Sequence, residues 1–258
     1  MTNLLGLIVA IKQTWHAEIA EDAISISKSL KSLDMTWIDL GNPIPLYIPG
    51  RYEPFEWPSQ VIEYLAVPAK LALPGLEKIV YTRRTRRTFG SLSREQIAFF
   101  LWLSCRTLTK GNDRVGFPIT QRPAPSAGAI HPIHLLLSEN ENWLRYDPDR
   151  HGLMPLERAG SVLAGLWQAV TQVVEPEAGT VLLFVAEPGK TYAKYECGDS
   201  LIWRDAGVLI GHMALVAEAL DLNFCPLGIT GEPWISRLAD QHQLVGVGAA
   251  LLGSRRDI

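Results

Sequence analysis

Cysteine is scarce in this chain, and its few cysteines form no recognisable site. Cys105, Cys197 and Cys225 are far apart in sequence, with no Cys-x-x-Cys pair and no zinc-ligand spacing. This pattern argues against a disulfide-stapled fold and against a cysteine-based metal centre. We therefore expect reduced thiols, as in a cytoplasmic protein.

Long hydrophobic runs and an excess of one charge are also missing. The start, "MTNLLGLIVAIKQTW", has a short apolar run with no basic region before it and no small-residue cleavage site soon after. It is unlike a secretory signal, and we expect no run long enough to span a bilayer. The formal net charge of −3 gives no overall attraction to nucleic acids or anionic membranes. We expect a cytoplasmic protein without a nucleic-acid or membrane partner.

Several common catalytic motifs are absent as well. The sequence has no G-x-G-x-x-G after a strand, no Walker motif, no G-x-S-x-G and no H-E-x-x-H. These absences argue against Rossmann and P-loop nucleotide sites, serine hydrolases and zincin proteases. His131 and His134 are three residues apart on a predicted strand, where they would face opposite sides, so we expect no metal site.

What the sequence does have is the composition of an ordinary folded protein. Its 258 residues, 47% hydrophobic and 20% charged, suit one large domain or a domain with a small extension. Helical spacing occurs over residues 17–33 and 200–220, and buried-strand runs occur at 133–137, 181–186 and 245–253. Helices and strands mix without a strict βαβ rhythm, so we predict an α+β fold.

Proline divides the chain. The segment "GNPIPLYIPGRYEPFEWPSQ" contains five prolines, which disfavour a helix or a central strand. We predict an N-terminal helix and a proline-rich arm of unknown role in residues 1–75, and the main domain in residues 76–258. In that domain Ser93 and Gln96 form a capping-box pattern before a helix that we expect to end at Gly111.

"RRTRRTF", residues 83–89, is a dense basic segment in a slightly acidic chain. It could be a solvated basic surface or a nucleic-acid contact, although no aromatic or lysine-rich strip follows it. It could also bind phosphate, because arginine offers a rigid fork of N–H donors and Thr85 adds a hydroxyl. Phe89 would anchor the segment to the core. Spacing alone does not decide between these interpretations.

A second motif, "PSAGAIHP", occupies residues 125–132. It has no bulky side chain before Ile130, so its backbone can come close to a ligand. A tight surface turn before the following strand would have the same composition.

With "YDPDRHGLMPL", these two motifs resemble the flavin-dependent nitroreductase superfamily. The resemblance runs from about residue 76 to the C-terminus and is closest to the SagB-type branch of azoline oxidases and thiazole- or oxazole-forming dehydrogenases. It implies an α+β sandwich around a mixed, mainly antiparallel sheet flanked by helices. It further implies a domain-entwined homodimer with FMN at the subunit interface.

The resemblance also implies which residues bind FMN. Arginines of the basic segment and a basic residue near the C-terminus match positions for the phosphate and ribityl chain, while Arg86 matches a variable position and should point elsewhere. The loop of the second motif would approach the flavin from the partner subunit, and "CPLGI" would lie along the isoalloxazine ring. The implied residues are Arg83, Arg84, Thr85, Arg87, Pro125, Ser126, Ala127, Gly128, Leu227, Gly228 and Arg255, with Arg256 as the alternative to Arg255.

Lys194 and Tyr195, in "TYAKYECGD", match a Lys-Tyr pair of the azoline-oxidase branch. The implied role is catalytic: deprotonation beside the substrate ring while a hydride passes to the flavin. A lysine is a useful base only if burial or a nearby cation lowers its pKa. An exposed lysine and a half-buried tyrosine at a loop–helix junction are the structural alternative.

Three functions stay open at this point. The first is an FMN-dependent oxidase that dehydrogenates a C–N or C–C bond, of the azoline-to-azole type, in peptide or specialised-metabolite biosynthesis. The second is an NAD(P)H-dependent reductase of nitro compounds, quinones or activated alkenes, and the third is an inactive scaffold subunit. A small-molecule or peptide substrate and a companion biosynthetic enzyme are the expected partners.

Overall fold

The structure is a computed structural model. It describes residues 38–58, 61–69, 72–139, 142–157, 159–176, 178–239 and 243–255. The helix predicted over residues 17–33 lies outside this part of the chain. The contact pattern divides the chain between Asp39 and Leu40, so residues 40–75 belong to the same compact unit as the main domain. That residues 76–258 bind FMN stays a prediction.

Eleven strands are found in the described residues. In chain order they are β1 (Ile44–Pro45), β2 (Glu63–Tyr64), β3 (Thr109–Asn112), β4 (Pro118–Gln121), β5 (Ile133–Glu139), β6 (Asn142–Asp147), β7 (Gly152–Pro155), β8 (Thr180–Ala186), β9 (Tyr195–Glu196), β10 (Leu222–Leu227) and β11 (Val245–Ser254). Seven of them form the main sheet in the order β10-β11-β8-β5-β6-β7-β2, with every pairing antiparallel. β3 pairs with β4, and β1 pairs with β9.

The described residues also form five α-helices: α1 (Leu76–Thr82), α2 (Arg94–Cys105), α3 (Ala159–Val173), α4 (Pro188–Tyr192) and α5 (Asp199–Ala219). The alternation of side chains along a strand divides the core into two layers. Leu182 and Phe184 of β8 belong to the cluster that contains α2 and α5, whereas Leu183 belongs to the cluster that contains α3. Both faces of the sheet are therefore covered, and this is why its central strands read as unbroken apolar runs. The predicted α+β sandwich with a mainly antiparallel sheet is confirmed.

One predicted helix boundary was wrong. The capping box of Ser93 and Gln96 is present at the start of α2, but the helix ends at Cys105. Arg106 is extended, and the chain enters β3, which contains Gly111. The backbone N–H of Thr107 donates to Pro148 O and that of Leu108 to Gln121 O. Partners elsewhere in the fold thus replace the next helical turn.

The expectation about membrane-spanning length also needs correction. Within the described residues α5 is, by length and composition alone, apolar enough to cross a bilayer. A core helix of a soluble protein meets the same criterion, and α5 contributes Ile202, Ala206 and Met213 to the buried core.

The proline-rich arm packs along the segment that carries Lys194 and Tyr195. Strand β1 pairs with β9, and the backbone N–H groups of Leu46 and Gly50 donate to Lys194 O and Ala193 O at 2.8 and 2.7 Å. The arm therefore adds an edge strand to the predicted catalytic segment of its own chain.

Glu187, at the end of β8, fixes the other end of the arm. Its fully buried carboxylate accepts hydrogen bonds from Tyr52 Oη at 2.8 Å and from the Phe55 backbone N–H at 2.5 Å. It also pairs with His134 Nε2 at 2.6 Å and Lys190 Nζ at 2.9 Å. Burial acts to raise the pKa of Glu187, but the bonds from His134 and Lys190 prevail and lower it to about 2. Glu187 thus stays charged and links the arm to the sheet.

Gly189→Ala should release the arm. A Cβ at this position would lie 2.1 Å from the ring of Tyr52, so the tyrosine has to move. We expect faster hydrogen exchange at the Leu46 and Gly50 amides, measured by mass spectrometry. Gly207→Ala on α5 is the control, because nothing lies within 4 Å of its added Cβ. Unchanged exchange at both amides would show that Tyr52 does not hold the arm.

The free energy of unfolding of this protein should fall in mild acid. Burial is the main cause that lowers the pKa of both His131 and His134 to about 4, below the 6.5 of an exposed histidine. The unfolded chain therefore binds more protons than the folded one in this range. This contribution is complete above about pH 6.5 and is lost as the pH falls toward 4, by up to about 1.4 kcal/mol per pH unit for each histidine. Urea unfolding between pH 7 and 4.5 measures it, and the double variant His131→Gln/His134→Gln should show a flatter profile. An equal slope in both proteins would contradict the assignment.

Candidate active site

The basic segment follows α1 and is held at one end of the sheet. Phe89 is fully buried, and Gly90 exchanges backbone hydrogen bonds with Ser254 of β11 at 3.0 Å. Asn223 of β10 donates from Nδ2 to Thr88 O at 2.7 Å. The expectation that Phe89 anchors the segment is confirmed, and the arginines before it lie at the surface next to the ends of β10 and β11.

Two arginines at this end of the sheet share one carboxylate. Glu218 of α5 accepts from Arg86 Nη1 at 2.6 Å and from Arg255 Nη2 at 3.0 Å. Arg255 also pairs with Asp221. Burial acts to raise the pKa of Glu218, but hydrogen bonds from Arg86 and Thr82 outweigh burial and lower it. Arg86 thus points to a protein carboxylate, and Arg255, the expected phosphate ligand, is held by two carboxylates beside it.

Arg83, Arg84 and Arg87 differ from these two. No carboxylate pairs with any of them among the described residues. Arg84 donates from Nη1 to Tyr81 O and Arg83 O at 2.9 and 2.8 Å, which caps the C-terminal carbonyls of α1. Thr85 and Arg87 are exposed. The segment therefore presents positive charge that its own surroundings do not neutralise.

The loop of the second motif is fixed by a residue that sequence reasoning missed. Asp205 of α5 accepts from Ser126 Oγ at 2.6 Å and from the Ala127 backbone N–H at 3.0 Å. Ser126 Oγ in turn accepts from the His131 backbone N–H at 3.0 Å, which closes the loop. Burial raises the pKa of Asp205. An aspartate within the apolar spacing of residues 200–220 is the signal that could have identified it.

Two constraints require glycine at position 128. Its φ of +60° favours glycine. A Cβ there would also lie 2.8 Å from Tyr195 Oη and 3.3 Å from Lys194 Nζ. Pro125 is exposed beside it. The structure thus brings the loop together with Lys194 and Tyr195 of the same chain.

Lys194 lies between the loop and an acidic residue. Its Nζ is 3.3 Å from Gly128 O and 2.6 Å from Asp113 Oδ2, and it sits 5.1 Å from the ring centre of Phe117. The hydrogen bond from Lys194 is the main cause that lowers the pKa of Asp113. The expected cation next to this lysine is absent from the described surroundings, and a carboxylate stands there instead. Asp113 comes from the β3–β4 hairpin. The sequence had predicted the end of a helix at Gly111, which is part of this hairpin.

Within one chain the two groups of residues are separate. Asp205 holds the loop and Glu218 lies at the basic segment, thirteen residues further along α5, which is about 20 Å of helix. Leu227 and Gly228, expected along the flavin ring, are at the far end of β10 from Asn223, and Gly228 is exposed. No described contact joins them to either group.

The remaining histidines and cysteines make no metal centre in the described ranges. His131 precedes β5 in a left-handed conformation, so it does not alternate with His134 as a strand pair would. His151 contacts Tyr146 Oη and Ala66 O, and His212 contacts Leu103 O, which are packing roles. Burial raises the pKa of the Cys225 thiol, although Arg87 nearby acts to lower it.

A comparison with family models matches residues 80–248, more than half of the chain, to the Nitroreductase family. No curated protein matches the sequence. Among solved structures, a provisionally assigned nitroreductase from Ralstonia eutropha JMP134 aligns with a TM-score of 0.56 at 16% identity, over 84% of this chain and 99% of that one. A second, from Anabaena variabilis ATCC 29413, aligns with a TM-score of 0.50 at 18% identity, over 62% of this chain and 34% of that one.

The Escherichia coli microcin synthetase McbBCD complex with truncated pro-MccB17 aligns with a TM-score of 0.49 at 19% identity, over 76% of this chain and 79% of that one. At these identities the structural likeness concerns the fold, and the family match identifies the sequence. The chain belongs to the Nitroreductase family.

Proposed function

We propose that this protein is an FMN-dependent oxidase that dehydrogenates a C–N or C–C bond, of the azoline-to-azole type, in peptide or specialised-metabolite biosynthesis. The observation that carries the proposal is the convergence of Lys194 Nζ and Tyr195 Oη on Gly128. Two side chains able to transfer protons therefore meet a loop whose backbone is free of side-chain bulk. We further propose a cytoplasmic homodimer acting with a companion biosynthetic enzyme.

The residues present fit FMN. Phosphate carries close to two negative charges, and Arg83, Arg84 and Arg87 offer positive charge that no described carboxylate neutralises. Thr85 is exposed beside them and adds a hydroxyl donor. Arg255 is the further proposed phosphate ligand beside them; its Nη groups bind Glu218 and Asp221, and its buried Nε has no hydrogen-bond partner in the described chain.

The second half of the site also fits a flat ring. Pro125, Ser126, Ala127 and Gly128 expose backbone, and Asp205 holds them in place. Because this loop and the basic segment are about 20 Å apart along α5, a site made of both is completed more readily between two subunits than within one. Leu227 and Gly228 would lie along the ring in such a dimer.

When bound, FMN would accept the hydride from the substrate and return the electrons to oxygen. The proton that leaves the substrate in the same reaction needs an acceptor at the loop. Lys194 and Tyr195 are placed there, and the side chain of Asp113, 20% exposed, connects Lys194 to the surface. The chain's own part is thus to bind, orient and remove a proton.

One observation favours the second candidate, an NAD(P)H-dependent reductase of nitro compounds, quinones or activated alkenes. The carboxylate of Asp113 lies 2.6 Å from Lys194 Nζ, so the two side chains form an ion pair. An ammonium donates a proton, and reduction of such substrates consumes protons. The dehydrogenase requires instead that the lysine release its proton before each turnover.

The cofactor proposal is tested by the visible absorption spectrum of the undialysed protein. We expect a flavin spectrum near one FMN per chain, and a loss of FMN affinity of about 10- to 100-fold for each of Arg84→Gln and Arg87→Gln, because each removes a charge-assisted bond. Arg237→Gln, an exposed arginine on another segment, is the control. A colourless protein that also fails to take up added FMN would remove the cofactor and favour the scaffold subunit.

The catalytic proposal is tested on the FMN-loaded protein with Lys194→Ala and Tyr195→Phe. We expect FMN content to be kept while flavin reduction by a thiazoline or oxazoline peptide slows by about 10²- to 10⁴-fold in Lys194→Ala, as for loss of a positioned proton acceptor. Anaerobic stopped-flow absorbance gives the rate. Rapid bleaching of the flavin by NADPH, with no bleaching by the heterocycle, would replace the dehydrogenase with the reductase.

A further inference from the structure

Arg122 is a half-buried cation with no ion-pair or hydrogen-bond partner among the described residues. It directly follows β4 and leads into the Gly128 loop. Among the described residues its guanidinium makes no ion pair and no hydrogen bond, and its Nε is inaccessible to solvent. An arginine stays charged in a protein, so this charge is not removed by loss of a proton. Leaving this buried nitrogen without an acceptor costs free energy, so an anion that reaches the guanidinium would stabilise it.

The acidic residues around Arg122 are paired with other cations. Asp149 Oδ2 is 2.8 Å from Lys110 Nζ, and Asp147 Oδ2 is 3.8 Å from Arg145 Nη2. Both carboxylates attract Arg122 from a distance, but neither is in contact with it. Arg150 Nη1 also lies 3.9 Å from Asp147 Oδ2, so the cations around Arg122 outnumber the carboxylates that could match them.

This unmatched charge borders a pocket. A pocket of about 470 Å³ lies between the β3–β4 hairpin and the Gly128 loop, and Arg122 lines it together with Thr120, Ser126 and His131. The hydroxyl of Thr120 is buried without a hydrogen-bond partner. Burial and the nearby Arg122 lower the pKa of His131 to about 4, so at neutral pH it offers a ring nitrogen but no charge. The wall thus combines one full positive charge with neutral polar groups.

We propose that this pocket binds a carboxylate group of the substrate, which Arg122 recognises through its forked N–H donors. A carboxylate supplies the missing negative charge in the planar form that a guanidinium matches with two parallel bonds. Ser126 and Ala129 of the loop line the same pocket, so a molecule held there lies next to the proposed catalytic loop. That the anion belongs to the substrate rests on the proposed function, whereas the anion pocket does not.

The test is a calorimetric titration of the full-length protein, in excess FMN, with benzoate and with benzamide. The two probes have nearly the same shape and differ in charge. We expect saturable benzoate binding that benzamide does not reproduce, weakened about 10- to 100-fold in Arg122→Gln. Arg237→Gln, an exposed arginine outside the proposed site, is the control and should leave benzoate binding unchanged.

Thermal unfolding gives a second readout on the same proteins. Benzoate should raise the melting temperature of the wild type but not that of Arg122→Gln. Because an unpartnered buried charge is removed, Arg122→Gln without benzoate should melt at or above the wild-type temperature. Should this variant fail to fold, Arg122→Lys carries the test: it keeps the charge but loses the fork, and it should bind benzoate about tenfold more weakly.

Three results would overturn the proposal: benzoate affinity that is equal in wild type and Arg122→Gln, equal affinity for benzoate and benzamide, or an equal loss of benzoate binding in Arg237→Gln and Arg122→Gln. Inorganic phosphate that binds through Arg122 where benzoate does not would overturn the carboxylate assignment. The outcome is separable from the cofactor proposal. If the protein binds benzoate through Arg122 but never binds FMN, the anion pocket is supported and the proposed function is contradicted. If it binds FMN but not benzoate, the proposed function stands and the anion pocket is contradicted.

Discussion

Two buried carboxylates on helix α5 organise the candidate active site. Asp205 accepts two hydrogen bonds from the Gly128 loop, and Glu218 holds Arg86 and Arg255 at the end of the sheet. Both acids lie on a helix whose apolar side is packed into the core, so their positions are fixed by burial rather than by the loops that they hold. Without these two carboxylates, the Gly128 loop and the basic segment would lose the hydrogen bonds and ion pairs that fix their conformations. The rigid scaffold thus positions flexible segments, as is common for functional sites.

A third buried acid gives the proline-rich arm its place. Glu187 connects Tyr52 and the Phe55 backbone to the sheet, and the arm then runs beside Lys194 and Tyr195. The sequence assigned no role to the arm. Its described part extends the segment that carries the proposed catalytic pair. Any change in the arm would therefore reach the active site through backbone hydrogen bonds.

Charge is distributed unevenly over the site, and the distribution suggests what each part binds. Arg86 and Arg255 are matched by carboxylates, whereas Arg83, Arg84 and Arg87 face outward without one in the described chain. Lys194 is matched by Asp113. Among the described residues discussed for the site, the basic segment and Arg122 carry positive charge without a carboxylate partner. The first suits a phosphate and the second a carboxylate, because the two anions differ in charge and shape.

Local sequence patterns determined much of this protein. The capping box at Ser93, the apolar runs of β5, β8 and β11, and the spacing of α5 follow from short-range rules and appear in the structure. Family membership could also be predicted from the sequence, since the two motifs that indicate it are each a few residues long. The tertiary structure alone decided the rest: that Asp205 holds Ser126 from 79 residues away, that Asp113 contacts Lys194, and that Arg122 Nε is buried without a hydrogen-bond partner in the described chain. These contacts depend on which residues, distant in sequence, are buried next to each other. A buried charge requires a partner, and a local sequence pattern does not predict which residue it is.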